Sequence, residues 1–160
     1  VASVNSALQR ARATLTSVGL DSMPARRSLD DAQRQLLDRY LEAFERYDMT
    51  ALALLIHEDA RQSMPPIEQW VSGRRDILAF WAGPGHECEG SRLVRTTDAN
   101  GRPAFAQYRR APQGGYHAWA LQVIELTGEA ITEFSMFLDV DRVFPRFGLP
   151  LDLDADGNAR

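Results

Sequence analysis

Residues 91–138 read S-R-L-V-R-T-T-D-A-N-G-R-P-A-F-A-Q-Y-R-R-A-P-Q-G-G-Y-H-A-W-A-L-Q-V-I-E-L-T-G-E-A-I-T-E-F-S-M-F-L, and this stretch decides the fold. Three turn signals cut it into four runs with strand character. Residues 91–97 end at Asn100-Gly101, residues 102–110 at Pro112-Gln-Gly-Gly115, residues 116–126 at Thr127-Gly128, and residues 129–138 close the set. Asn-Gly between two β-rich runs is the strongest short hairpin signal, because both central residues of a type I′ turn need positive φ. Connections this short join only antiparallel neighbours. The stretch therefore predicts an antiparallel meander, and the residues before it must cover one face of that sheet.

A second capacity of the sequence lies in its length. A chain of 160 residues holds one domain with a substantial core. Its apolar content of 44% and charged content of 25% are those of an ordinary globular protein. No apolar run reaches the 18 or so residues that span a bilayer, so no membrane role is expected. The first residues do not resemble a signal peptide, and a first residue of Val rather than Met leads us to expect a fragment or processed product. The single cysteine, Cys88, excludes an internal disulfide and fits the reducing cytoplasm. All 18 basic residues are arginine. Residues 1–27 carry four Arg and one Asp, a charge of +3. With −4 for the whole chain, the remainder carries −7. A basic piece joined to an acidic domain suggests two functions in one chain.

Residues 1–15 place Val1, Val4, Leu8, Ala11 and Leu15 at helical spacing. The opposite face, Ser3, Asn5, Ser6, Gln9, Arg10 and Arg12, is short and rich in amides and arginine, which suits phosphate and base-edge contacts. A solvated amphipathic helix explains the same pattern more simply. Residues 16–27, with Gly19 and Pro24 and no periodicity, read as a linker. Ser28 and Asp31 suggest a capping box ahead of a helix that carries Leu36, Leu37, Tyr40, Leu41 and Phe44 on one side. Asp48 is placed to cap a second helix over 49–56, apolar enough to be buried on most sides. Residues 61–67 form a short edge strand that Pro65-Pro66 ends. A third helix runs over 74–81 until Gly83-Pro-Gly85. Three helices on one face of a curved antiparallel sheet, behind a separate N-terminal helix, make an α+β cone with a cavity between the layers. Residues 28–150 belong to this domain, and 151–160 read as an acidic, flexible tail.

The cavity is the default location for a ligand or chemistry. Strict alternation along 129–138 puts Ile131, Glu133, Ser135 and Phe137 on one face. If that face is the inner one, Glu133 is a carboxylate in an apolar pocket and a candidate acid or base. Pairing of Glu133 with an arginine is the simpler expectation. His117 and Trp119 share a face of the central strand and read as a core aromatic pair. Trp70 and Trp81, with Met64 and Phe80, lie near the loops that rim the cone and are candidate pocket or partner residues. No metal is expected and no cofactor is implied. His57-Glu58 lacks a second His one turn on, and His86-Glu-Cys-Glu89 has no partner motif. Asp152-Leu-Asp-Ala-Asp156-Gly157 matches only the first half of a calcium loop.

Two resemblances come from particular strings. S-V-N-S-A-L-Q-R-A-R-A-x-L at 3–15 resembles the recognition helix of region 4 in RNA polymerase sigma factors of the sigma-70 type, above all the extracytoplasmic-function (ECF) group. By that resemblance Asn5, Ser6, Gln9 and Arg10 are DNA-binding, and Val4, Leu8 and Ala11 pack inward. The preceding helices of a helix-turn-helix are absent, so 1–15 is a remnant of the module. Two or three phosphate contacts give a salt slope of only about −2 to −3. The strings L-D-x-Y-L-E-A-F-x-x-x-D at 37–48, R-R-D-I-x-x-F-W at 74–81, G-S-R-L-V at 90–94, N-G-R-P-A-F-A at 100–106, A-W-A-L-Q-V-I-E-L at 118–126 and F-P-R-F-G-L-P at 144–150 resemble the SnoaL-like domain of the nuclear-transport-factor-like superfamily. In the order found, they resemble the C-terminal part of an ECF sigma factor with a fused SnoaL-like domain.

The resemblance implies a non-catalytic domain that tunes promoter-directed transcription in cis. Its implied partners are core RNA polymerase and promoter DNA through the parent chain, and the chain's own sigma regions 2 and 4. The implied location is the cytoplasm. The alternative is a small-molecule-binding or enzymatic domain of isomerase, cyclase or hydrolase type that uses the cone. The pocket set for either is Trp70, Trp81, His117, Trp119, Glu133 and Phe137.

Overall fold

A computed structural model describes residues 29–159 together with Ser6, Ala7, Gln9, Arg10 and Thr14. The last five are helical and exposed, as the N-terminal periodicity predicts, and the Thr14 hydroxyl donates to the Arg10 carbonyl at 3.0 Å. The linker and Ser28 lie outside the described residues.

Helix α1 spans Asp31–Glu45 and buries Leu36, Leu37, Tyr40, Ala43 and Phe44. Its cap is Asp30, two residues later than expected. The Gln33 amide N–H donates to Asp30 at 2.8 Å, and the Gln33 side chain accepts from the Asp30 N–H at 3.3 Å. Gln33 has the reach to return to the cap, so the box forms there. Helix α2 spans Met49–Ala53, capped by Asp48 as expected, with the Ala51 N–H donating to its carboxylate at 2.9 Å. It ends short of the expected boundary because Ile56 already belongs to a strand. Five residues are too few to be enclosed: Leu52 is buried, but Leu54 is 83% exposed.

Strand β1 (Ile56–Met64) turns at a cis Pro65-Pro66 into β2 (Ile67–Ser72). The short edge strand expected at 61–67 is therefore a hairpin, and the prolines form its turn. β1 is internal, flanked by β2 on one side and β6 on the other, and β2 is the edge. Helix α3 covers Arg74–Ala82 and stops at Gly83 as expected. The four predicted strands follow as β3 (Arg92–Arg95), β4 (Ala104–Arg110), β5 (Tyr116–Thr127) and β6 (Ala130–Phe137). Asn100 (φ 53) and Gly101 (φ 80) both have positive φ, the type I′ geometry the sequence requires. Ala99 and Arg102 close that turn with two reciprocal backbone bonds of 2.9 and 3.0 Å.

The sheet runs β2-β1-β6-β5-β4-β3. It is curved and unclosed, and it is not wholly antiparallel, since β1 pairs with β6 in parallel. That pairing is open to β1 because helix α3 and the meander supply the long crossover that parallel neighbours need. The inner face is covered by α1, α2 and α3 and carries the larger core, including Phe105, Ile124, Ile131 and Phe134. The outer face carries a second cluster built on Ala106, Tyr108, Ala118 and Leu121.

The C-terminal segment covers part of that outer face. It comprises α4 (Val140–Val143), a 3-10 turn (Phe144–Phe147) and β7 (Asp152–Leu153), which pairs with β5. Phe144 is fully buried against Tyr108, and Leu153 is buried too. The expected flexible acidic tail at 151–160 is thus corrected, because Leu153 has an apolar site to fill and β5 offers it a partner strand. Asp154 then closes a turn, accepting from the N–H groups of Asp156 and Asn158 at 2.9 and 2.8 Å.

Candidate functional site

The inner face is where a cone of this kind would hold a ligand, and here aromatic rings fill it. Tyr40 packs against Phe44, Phe105 and Phe134, and Trp81 packs edge-on against Phe44 and Phe134, with centroid separations of 5.3–5.8 Å. Such pairs add about 0.5–1.5 kcal/mol each beyond the area they bury. The polar atoms among them are uncharged. The Tyr40 hydroxyl donates to Gln122 Oε1 at 2.7 Å, Gln122 Nε2 to Gln107 Oε1 at 2.8 Å, and Gln107 Nε2 to Ser91 Oγ at 3.1 Å. Trp81 Nε1 donates to Gln62 Oε1 at 2.7 Å. Gln62, Gln107, Gln122 and Ser91 are all buried. Burial, and secondarily electrostatic interaction with Cys88, holds the Tyr40 hydroxyl well above the usual tyrosine range, so it stays a neutral donor.

Among the described residues the cone keeps a cavity of about 30 Å³, the room of a single water, with Gln62, Trp81, Gln107 and Trp119 in its lining. Arg109 stands beside it, against the lining residues Trp119 and Cys88. The guanidinium lies 3.4 Å from the Trp119 ring centroid, donates to Glu87 Oε2 at 3.1 Å and approaches Cys88 Sγ at 3.4 Å. Arg109 Nε is buried without a hydrogen-bond partner among the described residues. Tyr47, at φ 55, sets its hydroxyl 2.9 and 2.8 Å from the carbonyls of Trp81 and Gly85, and burial raises its pKa.

The structure brings two of the six predicted pocket residues together, Trp81 and Trp119, which both line the small cavity, and places the other four elsewhere. Glu133 is outside the cone altogether. Opposite β5, the register slips between Leu126↔Ile131 and Glu125↔Glu133, so one extra residue is accommodated and the side chains change face. Ile131 points inward with Phe134 and Met136, while Phe137 belongs to the outer cluster. Glu133 therefore shares the outer face. It accepts a 3.4 Å bond from the Ser135 hydroxyl, and among the described residues it forms no ion pair, so the expected arginine partner is absent as well.

A second bulge, between Gln107↔Ala120 and Tyr108↔Ala118, leaves Trp119 as the extra residue and dissolves the expected His117–Trp119 core pair. His117 is exposed, with Nδ1 2.8 Å from Asp152 Oδ1. Trp70 stands on the edge strand opposite Ser63, 72% exposed. Phe137 lines a different space, an open groove of about 760 Å³ on the outer face between the Asn100 turn and the C-terminal segment.

Of the predicted DNA-facing residues, Ser6, Gln9 and Arg10 are helical and exposed, and Asn5 lies outside the described residues. Among the described residues no three His, Cys, Asp or Glu side chains come together as a metal site. No helix among them is long and apolar enough to cross a membrane. In the acidic loop, the Asn158 N–H, with help from other N–H donors, holds the Asp154 carboxyl below its usual range. A cation already stands beside that loop. Gly157, at φ +88, approaches Arg92 so closely that a Cβ would meet its guanidinium carbon at 3.0 Å.

The sequence reading missed the inner amides and Arg109. A signal for the amides was present: Gln107 and Gln122 interrupt otherwise apolar positions of their strands.

Comparison with known proteins agrees with this architecture. The family model described as the SnoaL-like domain matches residues 37–134. The ECF RNA polymerase sigma factor SigG of Mycobacterium tuberculosis, in two strains, is 37% identical over 151 residues. That alignment covers 92% of this chain and 40% of SigG, so the chain spans well under half the length of these curated relatives. Among solved structures, a putative ketosteroid isomerase from Kribbella flavida superposes with a TM-score of 0.54 at 20% identity, covering 68% of this chain and 78% of that one. An NTF2-like protein of unknown function from Burkholderia pseudomallei gives 0.55 at 18% identity, over 74% and 98%. At these identities the superpositions speak for the fold alone. With most of its meander and two of its helices inside the matched segment, the chain belongs to the SnoaL-like domain family.

Proposed function

We propose that this chain is the C-terminal regulatory portion of an ECF sigma factor, and that its SnoaL-like domain modulates promoter-directed initiation in cis without catalysing a reaction. The observation that carries the reading is the interior of the cone. An acid–base enzyme needs a titratable group within reach of its substrate and space for that substrate. Here Gln107 and Gln122 bond each other, Gln62 accepts from Trp81, the Tyr47 hydroxyl is committed to backbone carbonyls, the cavity they line is about 30 Å³, and Glu133 lies on the other face. The 37% identity to SigG supplies the context of a sigma factor.

In this reading the parent chain engages core RNA polymerase and promoter DNA in the cytoplasm. Residues 1–15 are the end of region 4, and Asn5, Ser6, Gln9 and Arg10 belong to its promoter-reading face. The acidic SnoaL-like domain docks on the basic sigma regions 2 and 4, where opposite charge favours association. Promoter run-off transcription with the parent sigma factor, with and without residues 30–160, tests it. A change in transcript yield in either direction is expected. Unchanged yield, with no affinity between the isolated domain and the sigma regions, would discard the proposal.

A further inference from the structure

We propose that the outer-face groove is a binding site for a small organic acid with an apolar body, of the size of a medium-chain carboxylate. Three observations lead there. The first is room: about 760 Å³ stands open on the outer face, against about 30 Å³ inside the cone. Small-molecule sites run to about 300–1,000 Å³, and the outer groove is larger than the other space of that size among the described residues, one of about 380 Å³ between Arg109, Pro112 and Trp119.

The second is its surface. Leu121, Val123 and Phe137 of β5 and β6 form the floor, and Val143 and Phe147 of the C-terminal segment form a wall. Two rigid elements thus shape one apolar trough, which favours the hydrocarbon part of a ligand over water.

The third is charge. Arg102, just past the Asn100-Gly101 turn, and Arg146, in the 3-10 turn, reach the same groove from separate elements. Arg146 forms no ion pair among the described residues. Arg102 commits Nη2 to Glu125 at 3.0 Å, and a guanidinium has five N–H donors, so others remain. Asp98 lines the same rim and opposes an anion. Cations still outnumber anions among the lining side chains, in a chain whose net charge is −4. A planar guanidinium binds carboxylate in a fork that an ammonium cannot match, and this selects the acid head group.

The test is calorimetric titration of decanoate, below its micelle concentration, into the 160-residue chain, with decylamine and decan-1-ol as comparators. We expect one saturable site for decanoate and weaker binding of the alcohol and the amine. Arg146→Gln should weaken decanoate about tenfold or more, the scale of one charged hydrogen bond. Asp98→Asn should tighten it, while Trp119→Phe, in the lining of the inner cavity, should leave it unchanged. Both charge variants alter exposed residues, so their folding is secure, and circular dichroism checks it. The proposal is overturned if decanoate fails to saturate, if decylamine binds more tightly, or if Arg146→Gln and Asp98→Asn both leave affinity unchanged. It is overturned equally if the groove is closed by a second copy, seen as a ligand-independent dimer that Phe147→Asp converts to monomer in sedimentation.

Discussion

The two faces of one sheet have been put to opposite uses. Inside, the space between helices and strands is filled with rings, and every buried amide described above has a partner that is also neutral. Outside, the apolar cluster is smaller, a short C-terminal segment covers only part of it, and the uncovered part is rimmed by charge. The helix side of the sheet is close to solid, and the larger open groove lies on the other side of the strands. Fold membership therefore says little about where this domain would meet a partner. The contents of each face say more.

The largest expected effect compares the two clusters directly. Phe134 packs against both Tyr40 and Trp81, whereas Phe144 meets one ring, Tyr108. Both are fully buried. Truncation of a buried Phe costs about 3–5 kcal/mol, more where the surroundings cannot collapse. Phe134→Ala should fall at the upper end and Phe144→Ala at the lower, by urea denaturation. A reversed order would mean that the C-terminal segment, rather than the helix layer, is the main support of the sheet.

A smaller effect sharpens the account of the amides. Gln122→Leu strands both the Tyr40 hydroxyl and the Gln107 carbonyl oxygen, at a cost of about 2–3 kcal/mol. Adding Tyr40→Phe removes one stranded donor and should restore about 1 kcal/mol, because apolar replacement of both partners is far cheaper than loss of one. If the double variant is instead less stable than Gln122→Leu, the hydroxyl has another partner and the chain of bonds is misdrawn.

How far the sequence carried these conclusions depends on what kind of signal each one needed. The meander was legible because its turns are chemically distinctive: Asn100-Gly101 demands one geometry and obtained it. The β1–β2 hairpin was not, since Ile67–Ser72 has no such signal on its far side and prolines ordinarily argue against strand continuity. The face assigned to Glu133 failed for a deeper reason. Alternation is a local rule, and a bulge is decided by the partner strand, here at Glu125 and Leu126 of β5. One inserted residue moved a carboxylate from the predicted pocket to the opposite surface. Trp119 was misplaced by the same mechanism. The packed core at Leu36, Tyr40 and Phe44 followed from helical spacing alone. The amide chain is assembled from β4, β5 and the residue before β3, so no single window of sequence contains it.

The smallest effect separates the edge of the inner cavity from the rim of the sheet, using two arginines with similar surroundings. Arg109 pairs with Glu87 and lies 3.4 Å from the Trp119 ring centroid; Arg95 pairs with Asp38 at 2.7 Å and lies 5.5 Å from that of Phe105. They differ in burial. The Arg109 side chain is 18% exposed and the Arg95 side chain 41%. A partly desolvated cation over a ring is worth about 1–2 kcal/mol, while an exposed ion pair contributes about 0–1 kcal/mol and is screened by salt. Arg109→Ala should therefore destabilise the domain by about 1–2 kcal/mol, nearly independent of salt. Asp38→Asn should cost about 0.5 kcal/mol at low ionic strength and nothing measurable in molar salt. Equal and equally salt-sensitive losses would mean that Arg109 is solvated like Arg95, and that its guanidinium gains nothing from the indole beneath it.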